Sequence, residues 1–331
     1  MGVIQLERQE RVCLQVIPDG PVCNECAYEI AEMAVGLYRS PMQRLYLSRK
    51  GIRFESKSVV TWEAIFTCDS VSYFITCPRR LAEIFKIRVE TSLQNVLVKY
   101  VPLPLALDEL QAVGTELIYK RKDIFSLDID ENCQLMPELT ATMKVLSGKD
   151  RVVVQAIFDP VDTYKWQSIA KESYFRFIRG AFTKVAQLDK QTAVDSLDRV
   201  FSKIGNVVRN LLSRHKGLSS HGKLQRTERA KRLLKVRKLS DPHKPSSKVI
   251  RVFLRVAAES RNQARAVGIV HSFADTYKRL SADNELDSCY IKRFRNSFIK
   301  NINNRQIPLI KTNGNIMSIK ECGKLMYVSE K

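Results

Sequence analysis

Long apolar runs are absent from this sequence. No stretch approaches the roughly 18 uncharged apolar residues that a membrane span requires. The opening residues, MGVIQLERQERV, set charges where a signal peptide needs an uninterrupted apolar segment. The expectation is therefore a cytoplasmic protein whose eight cysteines are thiols. Histidine is scarce, at four, and tryptophan scarcer, at two. No Gly-x-Ser-x-Gly elbow, His-Glu-x-x-His pair or dinucleotide fingerprint occurs, so nothing commits the chain to catalysis, to a metal or to a cofactor. Acidic residues are in deficit: 35 against 55 Lys and Arg leave +20 at pH 7 over 331 residues. Such an excess repels itself unless a polyanion or an acidic surface is nearby.

The positive charge is concentrated. Between Arg199 and Lys248 lie fifteen Lys and Arg against two acids, Glu228 and Asp241, about two-thirds of the net charge. The densest part, KLQRTERAKRLLKVRKL, combines good helix formers with an apolar stripe of Leu224, Ala230, Leu233, Leu234 and Leu239. It reads as a basic amphipathic helix that stops at the Pro242 and Pro245 loop. Its candidate nucleic-acid contacts are Lys223, Arg226, Arg229, Lys231, Arg232, Lys235, Arg237 and Lys238. Between Phe201 and Phe253 no aromatic residue occurs, so this segment cannot stack bases. Phosphate contact, which needs only Lys and Arg and releases counterions, is the mechanism left to it. An acidic protein, an anionic membrane surface or water alone are the competing partners of the same charge.

Elsewhere one pattern recurs. Val12, Leu14 and Val16 alternate as a strand, and Ala27, Ile30, Ala31, Ala34, Leu37 and Tyr38 follow at helical spacing. Val60–Cys68 and Val71–Cys77 alternate around an Asp69-Ser70 turn as a hairpin. A helix beginning at Pro78 and the strand NVLVKYV complete a β-α-β-β-α-β order. A second round runs through ELIYKRKDIFSL (strand), PELTATMKVLS (helix) and RVVVQAIF (strand). It resumes after the basic segment at Ile250–Val256, then a helix whose Ser260 and Gln263 have capping-box spacing, and NELDSCYI. The expected fold is α+β: two ferredoxin-like (split βαβ) modules, the second with a long basic helical insertion. The expected division is 1–105 for the first module, 106–160 with 246–292 for the second, 161–245 for the insertion and 293–331 for a C-terminal helical linker.

Several motifs imitate chemical sites. Gly217–Lys223 has phosphate-loop spacing, but Leu224 stands where Ser or Thr must hold magnesium, and helix-like sequence precedes it. Asp159 ends an apolar strand like a metal-binding carboxylate, or like an ordinary strand exit before Pro160. Cys23-Asn-Glu-Cys26 is one CxxC without a second pair, and His215, His221, His243 and His271 are too remote to complete a zinc site. Asp128, Asp130 and Asn132 open like a calcium loop that fails at Cys133 and Leu139. Asp283, Glu285 and Asp287 read as turn chemistry or as paired carboxylates.

Three segments together resemble a known family. LQVIPDGPVCNECAYEIAEMAVGLY, YFITCPRRLAEIFKIRVETSLQNVLVKYV and VIRVFLRVAAESRNQARAVGIVHSFADTYKRLSADNEL with IMSIKECGKLMYVSEK look like the N-terminal non-motor region of conjugative coupling ATPases, the VirD-type and TraG-like members of the HerA/FtsK motor class. The resemblance implies a non-catalytic accessory in DNA transfer through type IV secretion. Its partners would be DNA or the relaxosome, a HerA/FtsK-like motor and other copies in an oligomer, at the inner face of the membrane through the secretion complex. The family's Walker A and Walker B motifs are missing here, as are its membrane helices, so its ATP-binding residues map onto no position of this sequence. The chain is then a separate gene product or a fragment. The rival expectation is a stand-alone RNA- or DNA-binding protein, whose modules would display aromatics on a central strand. A phosphoryl-transfer enzyme using the acidic clusters is the third.

Overall fold

The computed structural model describes residues 5–7, 9–48, 51–130, 135–178, 241–290, 295–307 and 314–329. The chain divides into two units, Met1–Gln167 with Ser240–Lys331, and Ser168–Leu239. The second is described only as far as Ile178, the end of helix α4 (Thr163–Ile178).

A large antiparallel sheet organises the first unit. In the amino-terminal half it contains β2 (Arg11–Pro18), β5 (Val60–Phe66), β6 (Val71–Pro78) and β7 (Val96–Val101). Helices α1 (Tyr28–Val35) and α2 (Ala82–Leu93) intervene. In the other half it contains β8 (Val113–Tyr119), β9 (Arg151–Pro160), β10 (Val249–Glu259) and β11 (Leu286–Tyr290). Their helices are α3 (Met136–Met143) and α5 (Gln263–Thr276). The strand order is β11-β8-β10-β9-β5-β6-β2-β7, with every neighbouring pair antiparallel. Read inward from β7, it is the fourth, first, third and second strand of the first succession. Read inward from β11, it is the same order in the second. The halves meet at β5 and β9, where Glu63 faces Gln155 at the centre of a register running from Val60↔Phe158 to Phe66↔Val152. A local two-fold relation between the halves follows from this order and register.

The pairing expected across the basic insertion is present. β9 and β10 are neighbours from Glu259↔Arg151 to Ile250↔Pro160, although most of a hundred residues separate them in sequence.

Alternation puts Leu14, Val16, Trp62, Ile75, Ala156, Leu254 and Leu117 on one face of the sheet. All seven are buried there under Ile30 and Ala34 of α1, Phe85 and Val89 of α2, and Ile269 and Phe273 of α5. Each such large side chain contributes about 1.5–3 kcal/mol of transfer free energy. In α2 burial follows Phe85, Val89 and Leu93, and Ile84 is exposed. The cap of α5 is Asn262, whose side chain accepts from the Ala264 N–H, rather than Ser260. β8 begins at Val113 and ends at Tyr119, short of the extended stretch expected as far as Leu127.

The opposite face of the sheet is covered beside its centre by α6 (Arg295–Asn303), whose Phe298, Ile299 and Ile302 pack on Val153 and Ala257. Gly114 of β8 permits this approach: a Cβ there would lie 2.7 Å from the Phe298 ring. The stretch expected as a helical linker contains α6 and α7 (Ile319–Leu325), but also a strand, β12 (Asn315–Ser318). β12 pairs with Val249–Val252 of β10, the part of that edge lying beyond the residues paired with β8. A small second sheet, β1 (Gln5–Glu7), β4 (Gly51–Glu55) and β3 (Leu45–Ser48), was not expected. Its strands are three to five residues long, too short for a period-two pattern to register.

Candidate nucleic-acid interface

All eight sequence-predicted contacts, from Lys223 to Lys238, lie outside the described residues, as do the Gly217–Lys223 spacing, His215 and His221. The structure does describe where the basic segment departs and returns. Departure is at Pro160, opposite Ile250, and Asp162 starts α4 by accepting from the Lys165 N–H at 3.0 Å. Gln167 donates to the Ser246 and Ser247 carbonyls at 2.8 and 3.2 Å, tying the outgoing chain to the returning one. Antiparallel pairing of β9 with β10 closes the base of the segment, so its ends are fixed by the sheet.

Two of the fifteen basic residues of the Arg199–Lys248 stretch are described, and neither is a free phosphate ligand. Lys248 pairs with Glu32. Lys244 is fully buried, its Nζ 2.9 Å from Glu321 Oε2 and 3.0 Å from the Phe125 carbonyl. Glu321 also accepts from the Tyr119 hydroxyl at 2.7 Å and from the Leu127 and Ser318 N–H groups. Burial, followed by the Glu321 charge, raises the Tyr119 phenol well above its ordinary value, so it stays a neutral donor.

Asp159 resolves as a strand exit held by cations. Lys57 Nζ lies 2.9 and 3.0 Å from its oxygens and Arg251 approaches to 3.7 Å. Glu285 pairs with Lys120 at 2.6 Å and Asp287 accepts from the Ser288 N–H. Among the described residues no group of three His, Cys, Asp or Glu could hold a metal ion, and no helix is long and apolar enough to cross a membrane. Of the calcium-like run, Asp128 accepts from the Asp130 N–H, while Asn132 and Cys133 fall outside the described residues. Cys26 precedes α1, but desolvation, then Glu29, Cys23 and Glu25, raise its thiol above the ordinary value, the reverse of an activated thiolate.

Across the second face of the sheet runs one transverse row: Lys99, Gln15, Phe74, Glu63, Gln155, Arg255, Glu116 and Cys289 on successive strands. Its middle is a buried polar chain. Arg305 donates twice to Glu63 Oε2, at 2.9 and 3.0 Å, and Gln155 donates to Glu63 Oε1 at 2.7 Å. Arg255 donates to Glu116 at 3.2 Å and to the Gln306 carbonyl at 2.9 Å. The two-fold relation makes Phe74 and Gln15 the counterparts of Arg255 and Glu116. Arg255 and Glu116 are buried on the half that α6 covers, whereas Phe74 and Gln15 are only half-buried and Lys99 is exposed. No residue of this row is among the sequence-predicted contacts. The signal was the phase of VSYFITC: Phe74 points away from the core that holds Tyr73 and Ile75.

A scan against protein-family models and a search of curated proteins each return no match for this chain.

Proposed function

We propose that the chain is a non-catalytic accessory in DNA transfer, similar to the N-terminal non-motor region of conjugative coupling ATPases, that contacts DNA phosphates or the relaxosome through its basic segment. Its frame is two ferredoxin-like modules joined at their second strands, and its setting the cytoplasmic side of a type IV secretion complex. The supporting observation is the closed base: strong positive charge is delivered by a segment whose two ends are clamped at Ile250↔Pro160, so binding need not order the frame. Lys223, Arg226, Arg229, Lys231, Arg232, Lys235, Arg237 and Lys238 would carry the phosphate contacts. The experiment replaces Arg229, Lys231, Arg232 and Lys235 together by Ala, which preserves helix propensity. If each makes a phosphate contact, the salt slope of duplex binding falls by roughly 0.9 per contact and affinity falls about equally for unrelated sequences. Unchanged slope and affinity in a folded variant would overturn this reading.

A stand-alone RNA- or DNA-binding protein is the second reading. What favours it is Phe74, a half-exposed aromatic on a strand paired on both sides.

A further inference from the structure

We infer that the half-exposed patch of the sheet's second face centred on Phe74 is a second nucleic-acid site, one for single strands. The inference rests on the nucleic-acid reading above and assigns the sheet a task separate from the basic segment.

Three transverse rows make up this surface. Phe74, Gln15 and Lys99 form the middle one; Ser72 and Ile17 with Leu97 flank it on one side, and on the other the patch ends at the buried Thr76 and Cys13. Lys99 and Leu97 are exposed, the latter by 44%, and Phe74, Gln15, Ser72 and Ile17 are half-buried.

The residue types select the occupant. On the other half, Phe298, Ile299 and Ile302 of α6 pack on Val153 and Ala257. At the open half the floor mixes one aromatic ring with Gln15, Ser72 and Lys99, which suits a ligand with flat π-faces, hydrogen-bonding edges and negative charge. An unpaired base stacks on a ring of any sequence context, whereas a duplex keeps its faces to itself. The exposed Lys99 ammonium places positive charge at the edge of the same surface, where a backbone following the stacked base would run.

The test measures anisotropy of a labelled oligothymidylate, an oligouridylate and a duplex on the full chain. Phe74→Ala should weaken both single strands by roughly 5- to 100-fold, the range for loss of one base stack, with duplex affinity unchanged. Phe74→Tyr should retain binding, and Lys99→Ala should lower the single-strand salt slope. Unchanged single-strand affinity in Phe74→Ala, or equal losses on single strand and duplex, would overturn the inference. Should Phe74→Ala not fold, 5-iodouracil cross-linking to the unaltered chain decides: adducts within Val71–Pro78 support the site, and adducts confined to other segments overturn it. The quadruple basic-segment variant separates the two readings. Lost duplex binding with retained single-strand cross-links leaves both standing, whereas unchanged duplex binding removes the basic-segment reading alone.

Discussion

Lys244 and Glu321 form a salt bridge of 2.9 Å in which neither side chain has any exposure. Lys244 lies just past the return of the basic segment, and Glu321 belongs to α7, where with Ser318 it completes a capping box. The pair therefore joins the root of the segment to the C-terminal strand and helix. A buried ion pair adds little over apolar residues of the same shape, but removing one partner strands a desolvated charge.

That asymmetry gives the first prediction. Glu321→Ala should cost about 3–5 kcal/mol in urea unfolding. Adding Lys244→Met should restore part of the loss, because the orphaned ammonium is removed. The remainder reflects the Ser318, Leu127 and Tyr119 donors left without Glu321. Additive losses from the two substitutions would show that the pair is not coupled.

The second prediction concerns alkaline pH. Burial raises the Cys13 thiol to about 11 and the Cys77 thiol to about 12, from an ordinary 9.0. A group whose folded-state value is raised contributes stability fully below its unfolded value and loses it as pH climbs through the folded one. Stability should therefore decline from about pH 9 toward 11–12 as the unfolded chain gains thiolates first. Replacing Cys13 and Cys77 by Ala should flatten that decline, read as urea midpoint against pH. An identical slope in the variant would refute the assignment.

How much of this was legible differs between elements for physical reasons. The strands around Leu14, Ile75 and Val154 were readable because one face or both are buried, and the hairpin because Asp69-Ser70 punctuates it. Their order, fourth-first-third-second in each half, followed from the β-α-β-β-α-β succession. The joining of β5 to β9 did not, since pairing at sheet edges is fixed by long-range register and leaves no local pattern. Nor did the Lys244 lock: a lysine inside a basic run reads as solvated until its partner, 77 residues on, is brought against it. The outward phase of Phe74 is readable from VSYFITC, but its partial exposure is set by what packs on that face of the sheet and leaves no local pattern.

The third prediction is chemical. The chain should not turn over ATP, since Leu224 replaces the magnesium-holding Ser or Thr after Lys223. Activity above background that vanishes in Lys223→Ala would promote that spacing to a nucleotide site.

The fourth prediction uses the closed base directly. The first unit comprises Met1–Gln167 and Ser240–Lys331, and Gln167 already bonds the Ser246 and Ser247 carbonyls. The outgoing and returning chains are therefore held to each other by groups of the first unit. Replacing Ser168–Leu239 by a few glycine and serine residues shortens the connection between β9 and β10 about fourfold. Loop-closure entropy then favours folding by roughly 1 kcal/mol, at about 0.6 kcal/mol per halving. The excised variant should melt cooperatively and at no lower a temperature than the full chain, with circular dichroism retaining the strand signature. It should lose duplex binding while keeping the single-strand cross-links to Val71–Pro78, because those residues belong to the frame. An excised chain that fails to fold would show that Ile250↔Pro160 does not close the base by itself, and that the second unit contributes to the frame it leaves.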